Sequence, residues 1–181
     1  YFNTSGNREN LKFVLEVSKI LKLKKNSLLK TLRKFKGLKY RQEIIFQSKN
    51  LTIINDSKAT TFSSSVSLLK SLTNVYWIVG GQAKKGDTLL LYKKNCINFK
   101  AYIFGANKIF FVNKIKKLMK YDSFIDLKSL VKKLFLEIKD DKGTIHKTIL
   151  FSPSAASFDN FKNFEKRGEY FNQLIKRYIN A

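Results

Sequence analysis

Three polar segments of this sequence combine residue types that could hold an anionic small molecule. Residues 55–60 read NDSKAT and stand between an apolar run and a helical pattern. There Asp56 could bind a ribose hydroxyl, while Lys58 and Thr60 at a helix N-terminus could hold a carboxylate or phosphate. The simpler alternative is that Asp56 or Ser57 only caps the helix. Residues 80–87, GGQAKKGD, form a glycine-bounded loop with two lysines. It lacks the Gly-Lys-Ser/Thr ending of a Walker loop, and an exposed loop lysine taken alone is usually just solvated. Residues 152–159, SPSAASFD, follow an apolar run with small side chains that let a ligand approach the backbone. The only proline of the chain, Pro153, fixes that turn. Phe161, Phe164 and Phe171, taken singly, read as core. Cys96 and His146 are the only residues of their types. They compose neither a nucleophilic triad nor a metal-ligand cluster, and His146, beside a turn, reads as surface.

These segments need elements to position them. Residues 10–23 place Leu11, Val14, Leu15, Val17 and Leu21 at mostly helical spacing, with Asn7 ahead as a plausible cap. A second helix is predicted after Asn26, through Phe35, with Gly37 suited to end it. Residues 43–48 and 51–55 read as strands joined by a tight turn at Lys49-Asn50. Further strands are predicted at 76–79, 101–104 and 148–151, and a weak one at 123–125. Helices are predicted at 60–72, 88–94, 107–119, 127–137 and 161–178. Strands alternating with helices imply an α/β fold, a Rossmann-like and mostly parallel sheet with helices on both faces. Such sheets bind ligands at the C-terminal ends of their strands, and all three polar segments sit at those ends.

Composition sets bounds. The chain has 181 residues, 44% hydrophobic and 14% aromatic, enough for a packed core. No apolar run reaches the roughly 18 residues of a membrane span, so no membrane partner is expected. The start shows no basic-then-apolar leader, so no signal peptide is expected; it also lacks an initiator Met, so a fragment is expected. With one cysteine, a reducing cytoplasmic setting is expected. The net charge of +23 could mark nucleic-acid binding. The lysines, however, run along the whole chain among Asn, Ile and Phe, as coding bias would spread them. Nor do the aromatics interleave with Lys, as a stacking surface would need. No nucleic-acid partner is expected, although a basic binding module is the second hypothesis.

Together, residues 37–43 (GLKYRQE), NDSKAT, the loop at 80–87 and residues 152–168 (SPSAASFDNFKNFEKRG) resemble the Mur ligase family. The likeness is strongest to its D-glutamate-adding type. No DNPR-like motif of the diamino-acid-adding members is present, and a folylpolyglutamate-type ligase is the alternative within this chemistry. The resemblance spans nearly the whole chain. Three positions depart from the family pattern, with Tyr40 and Gly6 where histidine is usual and Ser154-Ala155-Ala156 in place of Ala-Cys-Ala.

The resemblance implies an ATP-dependent, amide-forming ligase of peptidoglycan synthesis, acting through an acyl phosphate, with UDP-N-acetylmuramoyl-L-alanine and D-glutamate as substrates. It implies that residues 1–37 are the tail of a central ATPase domain and 38–181 the amino-acid-binding domain. Asn7 would approach adenine, Arg41 the ATP phosphates, and Asp56 the ribose. Lys84, Thr60, Ser157 and the backbone at Phe158 would hold the glutamate carboxylates, with Phe164 beside them and Lys58 as a further contributor. Mg2+ would be held mostly by residues outside this chain, as would the phosphate loop. The partners would be the missing N-terminal and central domains.

Overall fold

Runs of β-branched and aromatic residues favour strands, and five such runs, with the short polar strand at 120–123, form one sheet. A computed structural model of the chain describes residues 5–141 and 143–179. It comprises two compact units, Tyr1–Leu38 and Lys39–Ala181. The first holds helices α1 (Ser5–Ile20) and α2 (Lys25–Lys34). The second begins with strands β1 (Glu43–Gln47) and β2 (Leu51–Asn55), then α3 (Phe62–Leu69) and β3 (Val75–Gly80). It continues with β4 (Lys100–Phe104), α4 (Lys108–Ile115), β5 (Lys120–Ser123) and α5 (Leu127–Asp140). Strand β6 (Lys147–Phe151) and helix α6 (Phe164–Ile179) follow.

The sheet order is β1-β2-β6-β3-β4-β5. Only the β1–β2 hairpin is antiparallel; every other neighbouring pair is parallel. The mostly parallel α/β sheet expected from the sequence is therefore the fold. Successive side chains point to opposite faces, and each face builds its own core. Ile54, Trp77, Val79 and Ile103 pack with Phe62 and Leu69 of α3 and Phe111 of α4. On the other face Ile53, Ile78, Tyr102 and Phe151 meet Leu130 and Leu134 of α5 and Phe171 of α6. Several large aromatics are interior, Phe62, Trp77, Tyr102 and Phe111 among those with no exposed surface. Among the described residues, no helix is long and apolar enough to cross a membrane.

Several boundaries differ from the sequence-based expectation. The helix expected at 88–94 does not form, and only a 3₁₀ turn at Lys93–Asn95 does. Leu89 and Leu91 turn inward while Leu90 and Tyr92 face out, so the apolar pattern served an extended segment of period two. The weak strand lies at Lys120–Ser123, where it runs in register with Lys100–Ile103. Ile125 is outside it and 84% exposed. Helix α3 starts two residues later than expected because the Thr61 side chain accepts from the Ser64 amide as its cap. Helix α6 starts at Phe164, where the Asn163 carboxamide oxygen accepts from the Lys166 amide at 2.8 Å. Asn7 lies inside α1 and does not precede it, and α2 starts before Asn26. Gly37 is left-handed at φ 91°, but α2 has already ended at Lys34. His146 is on the surface as expected, its ring between Thr52 Oγ1 and the Lys49 carbonyl, each at 3.0 Å.

Candidate substrate-binding site

Parallel pairing brings the C-terminal ends of β2, β6 and β3 side by side, and the loops leaving them are tied together. The Gly80 amide donates to the Pro153 carbonyl at 2.9 Å, and the Ser152 amide to the Ile78 carbonyl at 3.2 Å. Gln82 and Ala156 then exchange both backbone hydrogen bonds at 3.0 Å. This pairing needs glycine at the head of the loop. Gly80 has φ 135°, and a Cβ there would collide with the Phe104 carbonyl. At Gly81 a Cβ would stand 2.7 Å from the Ala156 carbonyl oxygen.

The loop after β2 is joined to the end of β6, where the Asp56 amide donates to the Phe151 carbonyl at 2.7 Å, and also to α6. Asn55 Nδ2 donates to the Gly168 carbonyl at 2.9 Å and to Asn172 Oδ1 at 2.7 Å. Ser57 Oγ donates to the Phe164 carbonyl at 2.8 Å. As a result the Lys58 ammonium rests 4.1 Å from the centroid of the Phe164 ring, a cation–π contact. The structure therefore brings Lys58 and Phe164 together. Arg167, one turn into α6, is fully buried. Its Nε donates to Ser57 Oγ (3.1 Å), Nη2 to the Ser57 carbonyl (2.7 Å), and Nη1 to the Ala156 carbonyl (3.2 Å). Burial pulls this guanidinium down to about 10, still cationic at neutral pH.

The other residues assigned to D-glutamate present unused polar groups around these loops. Lys84 is exposed and unpaired among the described residues. Its loop is nonetheless anchored on both sides, since the Ala83 amide donates to Asn107 Oδ1 (2.8 Å) and Asp87 Oδ2 accepts from the Phe62 amide (2.7 Å). Ser157 is only 3% exposed, yet its hydroxyl makes no hydrogen bond among the described residues. No fully buried side-chain oxygen or nitrogen is left unpaired there, so the little surface Ser157 shows includes that hydroxyl. The Thr60 hydroxyl and the Phe158 amide are likewise unpaired within the described residues, and the Phe158 ring is 72% exposed. One expectation needs correction: the N-terminus of α3 is not capped by Asp56 or Ser57. Thr61 and the Asp87 carboxylate serve it, so Lys58 and Thr60 stand beside an end already supplied with acceptors.

Of the residues assigned to the nucleotide, Arg41 is exposed in a turn whose neighbours Tyr40 (φ 61°) and Gln42 (φ 51°) are both left-handed. Such strain persists only where surrounding bonds enforce it. Here the Lys58 amide donates to the Tyr40 carbonyl (3.0 Å), the Tyr40 amide to Glu43 Oε2 (3.0 Å), and the Gln42 amide to Asp56 Oδ1 (3.1 Å). Asp56 is 5% exposed, and its Oδ2 accepts from Ser152 Oγ at 2.8 Å. Ser152 Oγ is itself 2.6 Å from Ser65 Oγ, which is also 2.6 Å from Ser154 Oγ. Asn7 is buried within α1 of the first unit. No group of three or more His, Cys, Asp or Glu able to hold a metal ion occurs among the described residues.

Burial pushes the Asp56 carboxyl up to about 7 despite the Ser152 and Gln42 bonds and nearby Arg41, all of which pull it down. Its folded value lies above the ordinary value near 3.8, so folding takes up a proton between those limits. That stability is complete below about pH 4 and is lost as pH rises through about 7. Asp56→Asn is expected to remove a loss of roughly 1–3 kcal/mol between pH 4.5 and 7.5. Denaturant unfolding of both proteins at the two pH values measures this. An equal pH dependence in the two proteins would rule out a titrating Asp56.

Arg167, Asn55, Asp87 and Ser152 carry much of this geometry and were not singled out from the sequence. Arg167 had one visible signal, an arginine kept within the 152–168 segment of a chain where lysine supplies most of the positive charge.

Comparison with known proteins bears on what these loops serve. Over 176 residues, 97% of its length, the chain is 35% identical to a protein of Wolbachia sp. subsp. Brugia malayi (strain TRS), of which it covers 35%. That protein is named "UDP-N-acetylmuramoylalanine--D-glutamate ligase". Two others carry the same name. One is from Rickettsia prowazekii (strain Madrid E), 34% identical over 95% of the chain and 38% of that relative. The other is from Francisella tularensis subsp. tularensis (strain SCHU S4 / Schu 4), 36% identical over 93% of the chain and 40% of that relative. The chain thus spans between a third and two fifths of the length of these curated relatives. No family model matches it.

Proposed function

We propose, from its likeness to relatives named UDP-N-acetylmuramoylalanine--D-glutamate ligase, that the chain belongs to the Mur ligase family and is the amino-acid-accepting part of an ATP-dependent ligase that adds D-glutamate to UDP-N-acetylmuramoyl-L-alanine. The observation that carries this reading is the set of unused polar groups at adjoining strand ends. The Ser157 and Thr60 hydroxyls, the Phe158 amide and the Lys84 ammonium have no partner among the described residues, while the buried polar groups behind them are fully paired. A dicarboxylate amino acid matches such a set, with ammonium for charge and hydroxyl and amide donors for direction. Phe164 would wall the subsite, its ring already beneath Lys58.

On the nucleotide side, the exposed Arg41 would meet the ATP phosphates. Asp56 would meet a ribose hydroxyl beside the Gln42 amide and the Ser152 hydroxyl that its two oxygens already accept from. ATP supplies the activation of the acceptor carboxylate. On this reading the magnesium ligands, like the phosphate loop, would lie mostly in the rest of the ligase; among the described residues no group of three or more His, Cys, Asp or Glu could hold a metal ion.

The test is product formation by the full-length protein with ATP, the UDP-linked acceptor and either D-glutamate, L-glutamate or D-aspartate. D-glutamate is expected to be the amino acid incorporated. Equal use of L-glutamate, or ligation of a diamino acid, would refute the assignment. The 181-residue chain alone is expected to release no phosphate from ATP, since it contains no Gly-Lys-Ser/Thr loop. Phosphate release by the purified chain, abolished in Arg41→Ala, would show that this segment is catalytically complete.

A further inference from the structure

We infer that Arg167 is a positioning residue for the glutamate subsite, holding its loops in one geometry and placing an unneutralised charge beneath them. The inference rests on the D-glutamate reading above and names a residue that acts through others.

Arg167 has no exposed surface, so it cannot touch a ligand directly. Its three side-chain hydrogen bonds instead join two separate segments. Two go to Ser57, between Asn55 and the pair Lys58 and Thr60; the third goes to the Ala156 carbonyl, immediately before Ser157 and Phe158. A third segment closes on the same point. Gly81, at the start of the Lys84 loop, lies so near that a Cβ would come within 3.3 Å of Arg167 Nη1. The rigid fork of a guanidinium serves Ser57 and Ala156 from three separate nitrogens, whereas an ammonium would have to reach them all from one. The Ser57 hydroxyl adds a further link by donating to the Phe164 carbonyl.

The charge is also unusual. Buried charges are normally paired, yet no carboxylate lies within 4 Å of Arg167 among the described residues. Asp159 is the one acid whose field reaches it. All its close acceptors are neutral, namely two carbonyls and a hydroxyl. A cation held in a low-dielectric interior without a counter-ion attracts an anion bound nearby. For a dicarboxylate amino acid bound by these loops, the missing counter-charge would be the ligand itself.

The experiment compares Arg167→Lys, Ser57→Ala, the double variant and Lys84→Ala in the full-length ligase, varying D-glutamate and ATP separately. Arg167→Lys keeps the charge and loses the fork; it is expected to raise the KM for D-glutamate about tenfold to fiftyfold and to leave that for ATP within about twofold. Ser57→Ala is expected to raise it about twofold to fivefold, and the double variant to differ from Arg167→Lys by no more than about twofold, because both act on one network. A residue that only stabilises the fold would lower the melting temperature and the active fraction while leaving KM alone. That pattern in Arg167→Lys, or fully multiplicative effects in the double variant, would overturn the inference. If Arg167→Lys does not fold, Ser57→Ala decides: an unchanged KM for D-glutamate overturns it. Lys84→Ala separates the two levels. If it raises the KM for D-glutamate and Arg167→Lys does not, the inference alone falls; if neither does, the glutamate reading falls and the inference with it.

Discussion

Lys84→Ala in the full-length enzyme is expected to raise the KM for D-glutamate about tenfold to a hundredfold and to leave the KM for ATP within about twofold. On the proposed reading the substitution would remove a charge-assisted hydrogen bond to a carboxylate, worth roughly 1.5–3 kcal/mol. The side chain is exposed and unpaired among the described residues, so its loss leaves no buried group stranded and little stability changes with it. Its loop stays in place because Ala83 is held by Asn107 and Asp87 by the Phe62 amide. Ser157→Ala removes a neutral donor and should cost less, roughly 0.5–1.5 kcal/mol. Steady-state kinetics with each substrate varied in turn decides the matter. A rise in the KM for ATP with that for D-glutamate unchanged would reassign this loop to the nucleotide.

Gly80→Ala is expected to cost about 4 kcal/mol or more of stability, the largest effect of any single change considered. Two costs add. At φ 135° an L side chain is strained by roughly 1–3 kcal/mol whatever the space around it. The new Cβ would also run into the Phe104 carbonyl of the neighbouring strand, a backbone group that cannot rotate away. Relief would require β3 and β4 to separate at their C-terminal ends, where the Lys84 loop begins. Urea unfolding of the two proteins measures the difference. By contrast Gly86→Ala meets no atom within 4 Å and carries only the strain of φ 79°. A loss at Gly80 no greater than at Gly86 would show that the strand end yields easily.

How the parts of the site became legible follows from which interactions are local. Strand and helix alternation was readable because the apolar residues of β2, β3, β4 and β6 come in short runs bounded by Asn, Gly and Ser. The three polar segments were readable because each directly follows one of those runs. Residues 88–92 misled because a stretch rich in Leu and Tyr fits a helix as well as an extended chain, and only the core beneath it chooses. The caps misled for a related reason. Asp56 has the right chemistry to cap α3, but its oxygens go to Gln42 and Ser152, the latter 96 residues away.

What the sequence determined by itself was the class of fold, the location of the three polar loops and the family that their residues resemble. All of these depend on residue types within a few positions of one another. Tertiary structure decided which polar groups remain free to meet a substrate. Lys84, Thr60 and Ser157 are unpaired, whereas Asp56, Ser57 and Arg167 are consumed in bonds between loops more than a dozen residues apart. Nothing local distinguishes Ser57 from Ser157. The difference arises because parallel pairing sets β6 between β2 and β3, so that hydrogen-bond partners are assigned by the sheet order and not by proximity along the chain.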